Sequence, residues 1–120
     1  MTLEELRYHH WEPISVTLNR ETVSGYVHEN NFREVPAEIF LSLECGRIIN
    51  TLLNCSEQVI LASSSLDIKK TLPIGATVIV STHVSDLRRL KGQAYVTIKQ
   101  DYYLSDQLVA ELTQIMTLKT

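Results

Sequence analysis

Apolar and polar residues alternate along most of this chain, which is the pattern of β-strands that bury one face. Two short alternating stretches, 14–18 and 23–27, are separated by the polar run Asn19-Arg20-Glu21, which predicts two strands joined by a turn. The alternation returns in four later stretches, at 58–68, 76–86, 93–101 and 107–119. We therefore expect about six strands, with the last four forming an antiparallel meander.

One segment between these strands follows a helical period instead. Residues 35–54, VPAEIFLSLECGRIINTLLN, are apolar on nearly every side of a helix, and Pro36 suits the first helical position because it has no N–H to leave unpaired. A helix with this pattern is normally enclosed by other structure. Gly46 would weaken the helix, which suggests that the sheet backbone approaches it closely there. The order predicts an α+β fold in which a curved antiparallel sheet wraps around one long central helix.

The middle of this helix carries a carboxylate, Glu44, whose neighbours at helical spacing are mostly apolar. Burying a carboxylate without a partner is costly. Three interpretations remain open: Glu44 is paired with Arg47 one turn along, it is protonated, or it faces a cavity in which its chemistry is used.

Composition narrows the class of protein. The chain has 120 residues, 44% hydrophobic and 21% charged, which fits one globular domain spanning 1–120. A net charge of -3 and no dominant basic patch argue against a nucleic-acid partner, and no long apolar run or signal peptide indicates a membrane. Cys45 and Cys55 are read as reduced thiols of a cytoplasmic protein, and the scattered histidines predict no metal site.

The order of elements resembles the hotdog fold, in which a curved antiparallel sheet wraps a central helix and two subunits join their sheets at an edge. The resemblance covers about residues 14–119, and its most specific parts are VPAEIFLSLECGRI and SSSLDIKKTLPIGATVIVSTHVSDLRRLKGQAYVTIK. Within the acyl-CoA thioesterase superfamily of this fold, the chain is most similar to the fluoroacetyl-CoA thioesterase branch. The resemblance implies a homodimer that acts on an acyl thioester, with no metal and no bound cofactor.

The resemblance also assigns roles to residues. Glu44 matches the helix carboxylate that serves these thioesterases as general base or nucleophile, and the amides of Ala37 and Glu38 match the place where the thioester carbonyl is polarised. A helix start offers free N–H donors and a positive dipole end, as a developing oxyanion requires. Two positions depart from the branch: Pro36 stands where it has a catalytic threonine, and its histidine falls near Ile68.

Several other residues are candidates for the site. Asp67 stands beside the position of the absent histidine, and His28 and Asn31 in the loop before the helix could replace the missing partners, or could be ordinary turn and capping residues. A basic cluster at the last hairpin could bind coenzyme A phosphates, or could be a solvated turn; its members are Arg88, Arg89 and Lys91.

Three functions follow from these assignments. The first is hydrolysis of an acyl-CoA or acyl-carrier-protein (ACP) thioester with Glu44 as base or nucleophile. The second is a non-catalytic acyl-binding or regulatory protein, which the missing histidine and threonine favour. The third is a dehydratase of hydroxyacyl thioesters, for which His28 is the one placed histidine.

Overall fold

The computed structural model describes residues 1–24, 34–36 and 38–120 of the chain. These residues form four short helices and five strands. In chain order, the elements are α1 (Leu3–Leu6), β1 (His10–Thr17), α2 (Arg20–Ser24), α3 (Glu38–Ser42), α4 (Cys45–Leu53), β2 (Val59–Ile68), β3 (Thr77–Leu90), β4 (Gln93–Leu104) and β5 (Gln107–Lys119). Among the helices of the described ranges, none is long and apolar enough to cross a membrane.

The strands form one antiparallel sheet in the order β1-β3-β4-β5-β2. Two-residue loops join β3 to β4 and β4 to β5, and φ is positive at both residues of each loop: Lys91 and Gly92, then Ser105 and Asp106. Loops of this kind match the twist of the strands that they connect. The expected meander is confirmed for β3, β4 and β5, but β2 pairs with β5 at the far edge and not with β3.

The expected second strand is wrong where the structure describes it, because Arg20–Ser24 forms α2. The Asn19 side chain accepts a hydrogen bond from the Thr22 amide at 2.8 Å, and the Val23 amide donates to the Asn19 carbonyl at 3.0 Å. An asparagine that caps a helical turn in this way competes with extended backbone. Residues 25–27, the rest of the expected strand, lie outside the described residues. The described residues contain five strands and not the six that we expected.

The central helix is shorter than expected and is broken in the middle. It consists of α3 and α4, and between them Glu44 has φ 63° and ψ 8°, the left-handed conformation. A non-glycine residue in this conformation interrupts a right-handed helix at some cost in free energy. The single long helix over 36–54 is therefore wrong, although both pieces pack on one face of the sheet as the α+β prediction requires.

Gly46 does not have the role that the sequence suggests. It is exposed, and a Cβ atom added to it would meet no heavy atom within 4 Å. The expected close approach of the sheet backbone at this residue is wrong, since α4 turns Gly46 toward solvent.

The core under the helices is divided into two apolar clusters. One lies beneath α3 and includes Ile39 and Phe40, and the other lies beneath α4 and includes Ile48 and Leu52. Between the clusters, three adjacent strands each place a polar residue on the inner face: Thr82, Gln100 and Gln114, all buried. The helix break and this division of the core occur in the same part of the molecule.

Candidate functional site

Glu44 sits at the helix break in an ion pair with Arg47. Its Oε2 atom lies 3.1 Å from the Arg47 Nε atom, and the two side chains are 21% and 30% exposed, respectively. The two atoms are close but not aligned for a hydrogen bond, because the buried Nε–H has no partner of good geometry. Arg47 also donates from an Nη atom to the Glu12 carbonyl at 3.0 Å. The first of the three interpretations of Glu44, the ion pair, is thus confirmed.

The site also contains Tyr102, which the sequence analysis does not single out. Tyr102 is fully buried, and its hydroxyl lies 3.0 Å from the Phe40 carbonyl and 3.3 Å from Gln100 Oε1. The last carbonyls of a helix lack partners within the helix, so this hydroxyl caps the end of α3. Burial, and then the negative charge of Glu44, raise the pKa of Tyr102 far above its ordinary value of 10.0. The phenol therefore stays neutral and remains a hydrogen-bond donor beside Glu44.

A line of polar side chains leads away from Tyr102 across the inner face. Gln100 donates from Nε2 to the Thr82 hydroxyl at 3.4 Å, and Gln114 donates from Nε2 to the Ser64 hydroxyl at 3.2 Å. Ser64 is exposed on β2, the edge strand. The sequence contains a signal for this line. Gln100 falls between Ile98 and Tyr102, at a position where the period-two pattern of the strand expects an apolar residue.

The expected oxyanion donors and loop residues are described only in part. Glu38 begins α3, and the amide of Ile39 donates to the Pro36 carbonyl at 3.2 Å. Ala37, His28 and Asn31 lie outside the described residues.

The described histidines lie at one edge of the sheet, on and beside β1. The rings of His10 and His83 stack with centroids 5.6 Å apart, at positions where β1 pairs with β3. His9 packs edge-on against Trp11, and burial, with a smaller contribution from His10, lowers the pKa of His9. Among the described residues, no group of three or more histidine, cysteine, aspartate or glutamate side chains could hold a metal ion.

The structure does not bring Asp67 to Glu44. Asp67 lies opposite Glu111, on the outer face of the sheet, whereas Glu44 lies against the inner face beside Tyr102. Asp67 is exposed, and its carboxylate binds the Lys69 ammonium at 2.8 Å. This hydrogen bond is the main reason why the pKa of Lys69 is raised.

The basic cluster lies at the other end of the sheet. Arg88 and Arg89 belong to β3 and not to the turn, where Lys91 lies. Arg88 is paired with Tyr95, which is seven residues from Tyr102 along β4, and at about 3.3 Å per residue this is roughly 23 Å. The three cations therefore do not surround the Glu44 of the same chain.

Comparison with known proteins shows the fold but no closer relationship. No family model and no curated protein sequence matches the chain. Among solved structures, the chain is similar to the C-terminally truncated HadBC (3R)-hydroxyacyl-ACP dehydratase complex of Mycobacterium tuberculosis, with a TM-score of 0.74 and 11% identity over 93% of this chain and 96% of that one.

Two other solved structures are similar to the chain over most of its length. A putative thioesterase of Pseudomonas putida KT2440 has a TM-score of 0.62 and 12% identity over 89% of this chain and 70% of that one. A hypothetical protein of Staphylococcus aureus in complex with CoA has a TM-score of 0.65 and 8% identity over 92% and 70%. These neighbours are hotdog-fold proteins, so the fold predicted from the resemblance is confirmed.

Proposed function

We propose that the chain hydrolyses an acyl thioester, with Glu44 as the residue that activates water. The observation that carries this proposal is the position of Glu44: it stands at a break in the helix, in a left-handed conformation, between Arg47 and the buried phenol of Tyr102. Residues in sparsely populated backbone conformations cluster at functional sites. The hotdog neighbours support the chemistry, since they include a putative thioesterase, a hydroxyacyl-ACP dehydratase and a protein in complex with CoA.

The reaction that this geometry supports is a single displacement. Glu44 accepts a proton from water, the resulting hydroxide attacks the acyl carbon, and the C–S bond breaks. The sulfur leaves with the bonding pair and takes up a proton as free thiol. The amides at the start of α3, Ala37 and Glu38 in the sequence assignment, are proposed to hold the oxyanion. Direct attack by the Glu44 carboxylate would give an anhydride that water then opens, with the same products.

The test is thiol release from a panel of acyl-CoA and acyl-ACP thioesters. Glu44→Gln is nearly isosteric and is expected to keep the fold while the rate falls by about 10²- to 10⁴-fold, the contribution of a general base. Asp67→Asn changes a carboxylate on the outer face and is the matched control, expected to hydrolyse at the parent rate. Equal rates for Glu44→Gln and the parent would remove Glu44 from the mechanism, and a loss in both variants would show that the effect is not specific to the helix break.

A non-catalytic acyl-binding protein is the second candidate. The observation in its favour is the Glu44–Arg47 ion pair, which occupies the carboxylate, together with the position of the described histidines on and beside β1. This function predicts that acyl-CoA binds to the parent and to Glu44→Gln alike without thiol release. A dehydratase would instead release water from a 3-hydroxyacyl thioester and depend on His28, so His28→Asn tests it.

We also propose that the active form is a cytoplasmic homodimer joined through β2. This edge strand pairs with β5 on one side, and Ile60 and Leu61 are half exposed on it. An apolar edge with free backbone groups is suited to pair with a second copy of itself. Sedimentation at micromolar concentration is expected to show a dimer that Leu61→Lys dissociates. Leu90→Lys, at an exposed leucine beside the β3–β4 turn, is the control expected to leave it intact; a monomeric parent would overturn the proposal.

A further inference from the structure

A depression of about 470 Å³ lies on the outer face of the sheet, at the end where β3 turns into β4. Its lining includes Asp86, Arg88, Arg89, Tyr95, Thr97 and Ile115. Direct pairing across three strands makes this patch continuous, because Arg88 faces Tyr95 and Asp86 faces Thr97, which in turn faces Ile115. A volume of this size accommodates a small molecule.

A β-bulge places the arginine there. The register of β3 against β4 shifts between Val84 and Asp86, so Ser85 is an extra residue in β3. Beyond the bulge, Leu87 is the residue that turns inward and is buried, and Arg88 turns outward. Without the extra residue, Arg88 would continue the inward series of Val80, Thr82 and Val84. Bulges re-aim side chains and increase the local twist of a strand.

The lining combines two cations with an apolar and aromatic floor. Arg88 Nε lies 2.9 Å from the Asp86 carboxylate, and an Arg89 Nη atom lies 3.4 Å from the Glu4 carboxylate. Ion pairs between exposed groups contribute little free energy, so an anionic ligand can replace either carboxylate as the partner of a guanidinium. Tyr95, the strand partner of Arg88, and Ile115 are half buried and offer a flat ring and an aliphatic surface.

We propose that this depression binds an aromatic phosphate of mononucleotide size. Guanidinium groups bind phosphate through paired hydrogen bonds, and both arginine and tyrosine stack on flat aromatic rings. The lining carries two positive charges and one negative charge, and the Glu4 carboxylate beside Arg89 adds a second negative charge at its margin. The depression is on the opposite face of the sheet from Glu44 and at the opposite end of β4 from Tyr102, so the proposal does not depend on thioester hydrolysis.

The test is to titrate the full chain with 5′-AMP, with adenosine and with inorganic phosphate. Calorimetry measures the affinity of each ligand, and amide chemical shifts report where it binds. AMP is expected to bind with saturation and to shift the amides of Arg88, Tyr95 and Thr97. Adenosine and phosphate are each expected to bind at least about tenfold more weakly, since each keeps one half of the contacts. A larger response near Glu44 than near Tyr95, or AMP binding no tighter than phosphate, would overturn the proposal.

Three substitutions on the outer face separate the contributions of charge and of stacking to AMP binding. Arg88→Gln is expected to weaken AMP at least about tenfold, because it removes a charge-assisted contact. Tyr95→Leu is expected to weaken the binding of AMP and of adenosine but not the binding of phosphate. Lys99→Gln removes a cation from the same face outside the depression, and it is expected to leave the Kd of AMP unchanged. Equal effects of Arg88→Gln and Lys99→Gln would mean that AMP responds to overall charge, and the proposed site would be wrong.

Discussion

Two rows of polar side chains cross the sheet, one on each face, and they differ in the number of charged residues that they contain. The inner row is buried and uncharged, with Gln100 bonded to Thr82 and to Tyr102, and the one carboxylate beside it, Glu44, has Arg47 as partner. The outer row places three carboxylates directly opposite one another on adjacent strands: Asp67, Glu111 and Asp101.

The difference follows from exposure to water. A buried charge without compensation costs more than a fold can usually sustain, whereas water screens like charges on a surface. The repulsion on the outer row is nevertheless seen at Asp101, which is partly buried. Burial, and then the charge of Glu111, raise the pKa of Asp101, while the charges of His83 and Lys99 lower it. A carboxylate therefore has a close cationic partner at the inner face, whereas Glu111 and Asp101 face each other on the outer row and repel.

Removing the partner of Glu44 is expected to have the largest effect on stability. Arg47→Met should lower the free energy of unfolding by about 2 kcal/mol, less than for a fully buried pair because both side chains retain some exposure. Adding Glu44→Gln to Arg47→Met should restore most of the loss, since no unpaired charge remains. Urea unfolding of the two single variants and the double variant measures this coupling. An unchanged free energy of unfolding in Arg47→Met would contradict the view that Glu44 needs the charge of Arg47.

Removing the hydroxyl of Tyr102 is expected to cost about 1 to 2 kcal/mol, because the Phe40 carbonyl at the end of α3 loses its buried hydrogen-bond donor. Tyr102→Phe keeps the ring and its edge-on contact with Phe40. Tyr103→Phe, one residue along on the outer face, is the control and should change stability by less than about 0.5 kcal/mol. Equal melting temperatures for the two variants would show that the inner row is not held by hydrogen bonds.

On the outer row, removing a charge is expected to stabilise the protein. Asp101→Asn should raise the free energy of unfolding at neutral pH by about 0.5 kcal/mol, by relieving the repulsion from Glu111. Because the folded pKa of Asp101 is raised, its favourable contribution is fully present below the ordinary value of 3.8 and is lost as pH rises through the folded pKa. The advantage of Asp101→Asn should therefore shrink on acidification toward pH 3.8. A melting-temperature difference that grows on acidification would contradict this sign.

The smallest effect is expected on the solvent side of the helix break. Gly46→Ala should raise the free energy of unfolding by up to about 0.5 kcal/mol, because alanine loses less backbone freedom in a helix and space is open at this position. A lower melting temperature would show that the break needs the flexibility of glycine as well as the polar contacts of the inner row.

Local patterns were sufficient for much of the fold. Period-two alternation identified the four strands after the helix, and the apolar run from 35 to 54 identified the helical segment packed on them, because both periods follow from backbone geometry within a few residues. The isolated acidic residue in that run, Glu44, was also visible, as was its partner Arg47 one turn along. The sequence could have shown α2 as well, since Asn19 caps it locally.

Other features depend on residues that meet only in the folded chain. The helix breaks at Glu44 where a hydroxyl from Tyr102, 62 residues beyond Phe40, caps α3. Arg88 faces outward because of a bulge at Ser85, which alternation alone does not reveal. The order of β2 beside β5 is set by long-range pairing.

Periodicity alone was enough to place β1, the four later strands and the helical segment between them, and the cost of burying charge was enough to show that Glu44 needs a partner. Long-range contacts place Glu44 at a break between two helices with Tyr102 beside it, and they place Asp67 and Arg88 on the outer face of the sheet. These outcomes depend on which strands pair and in which register, and a shift of one residue moves a side chain to the other face of the sheet.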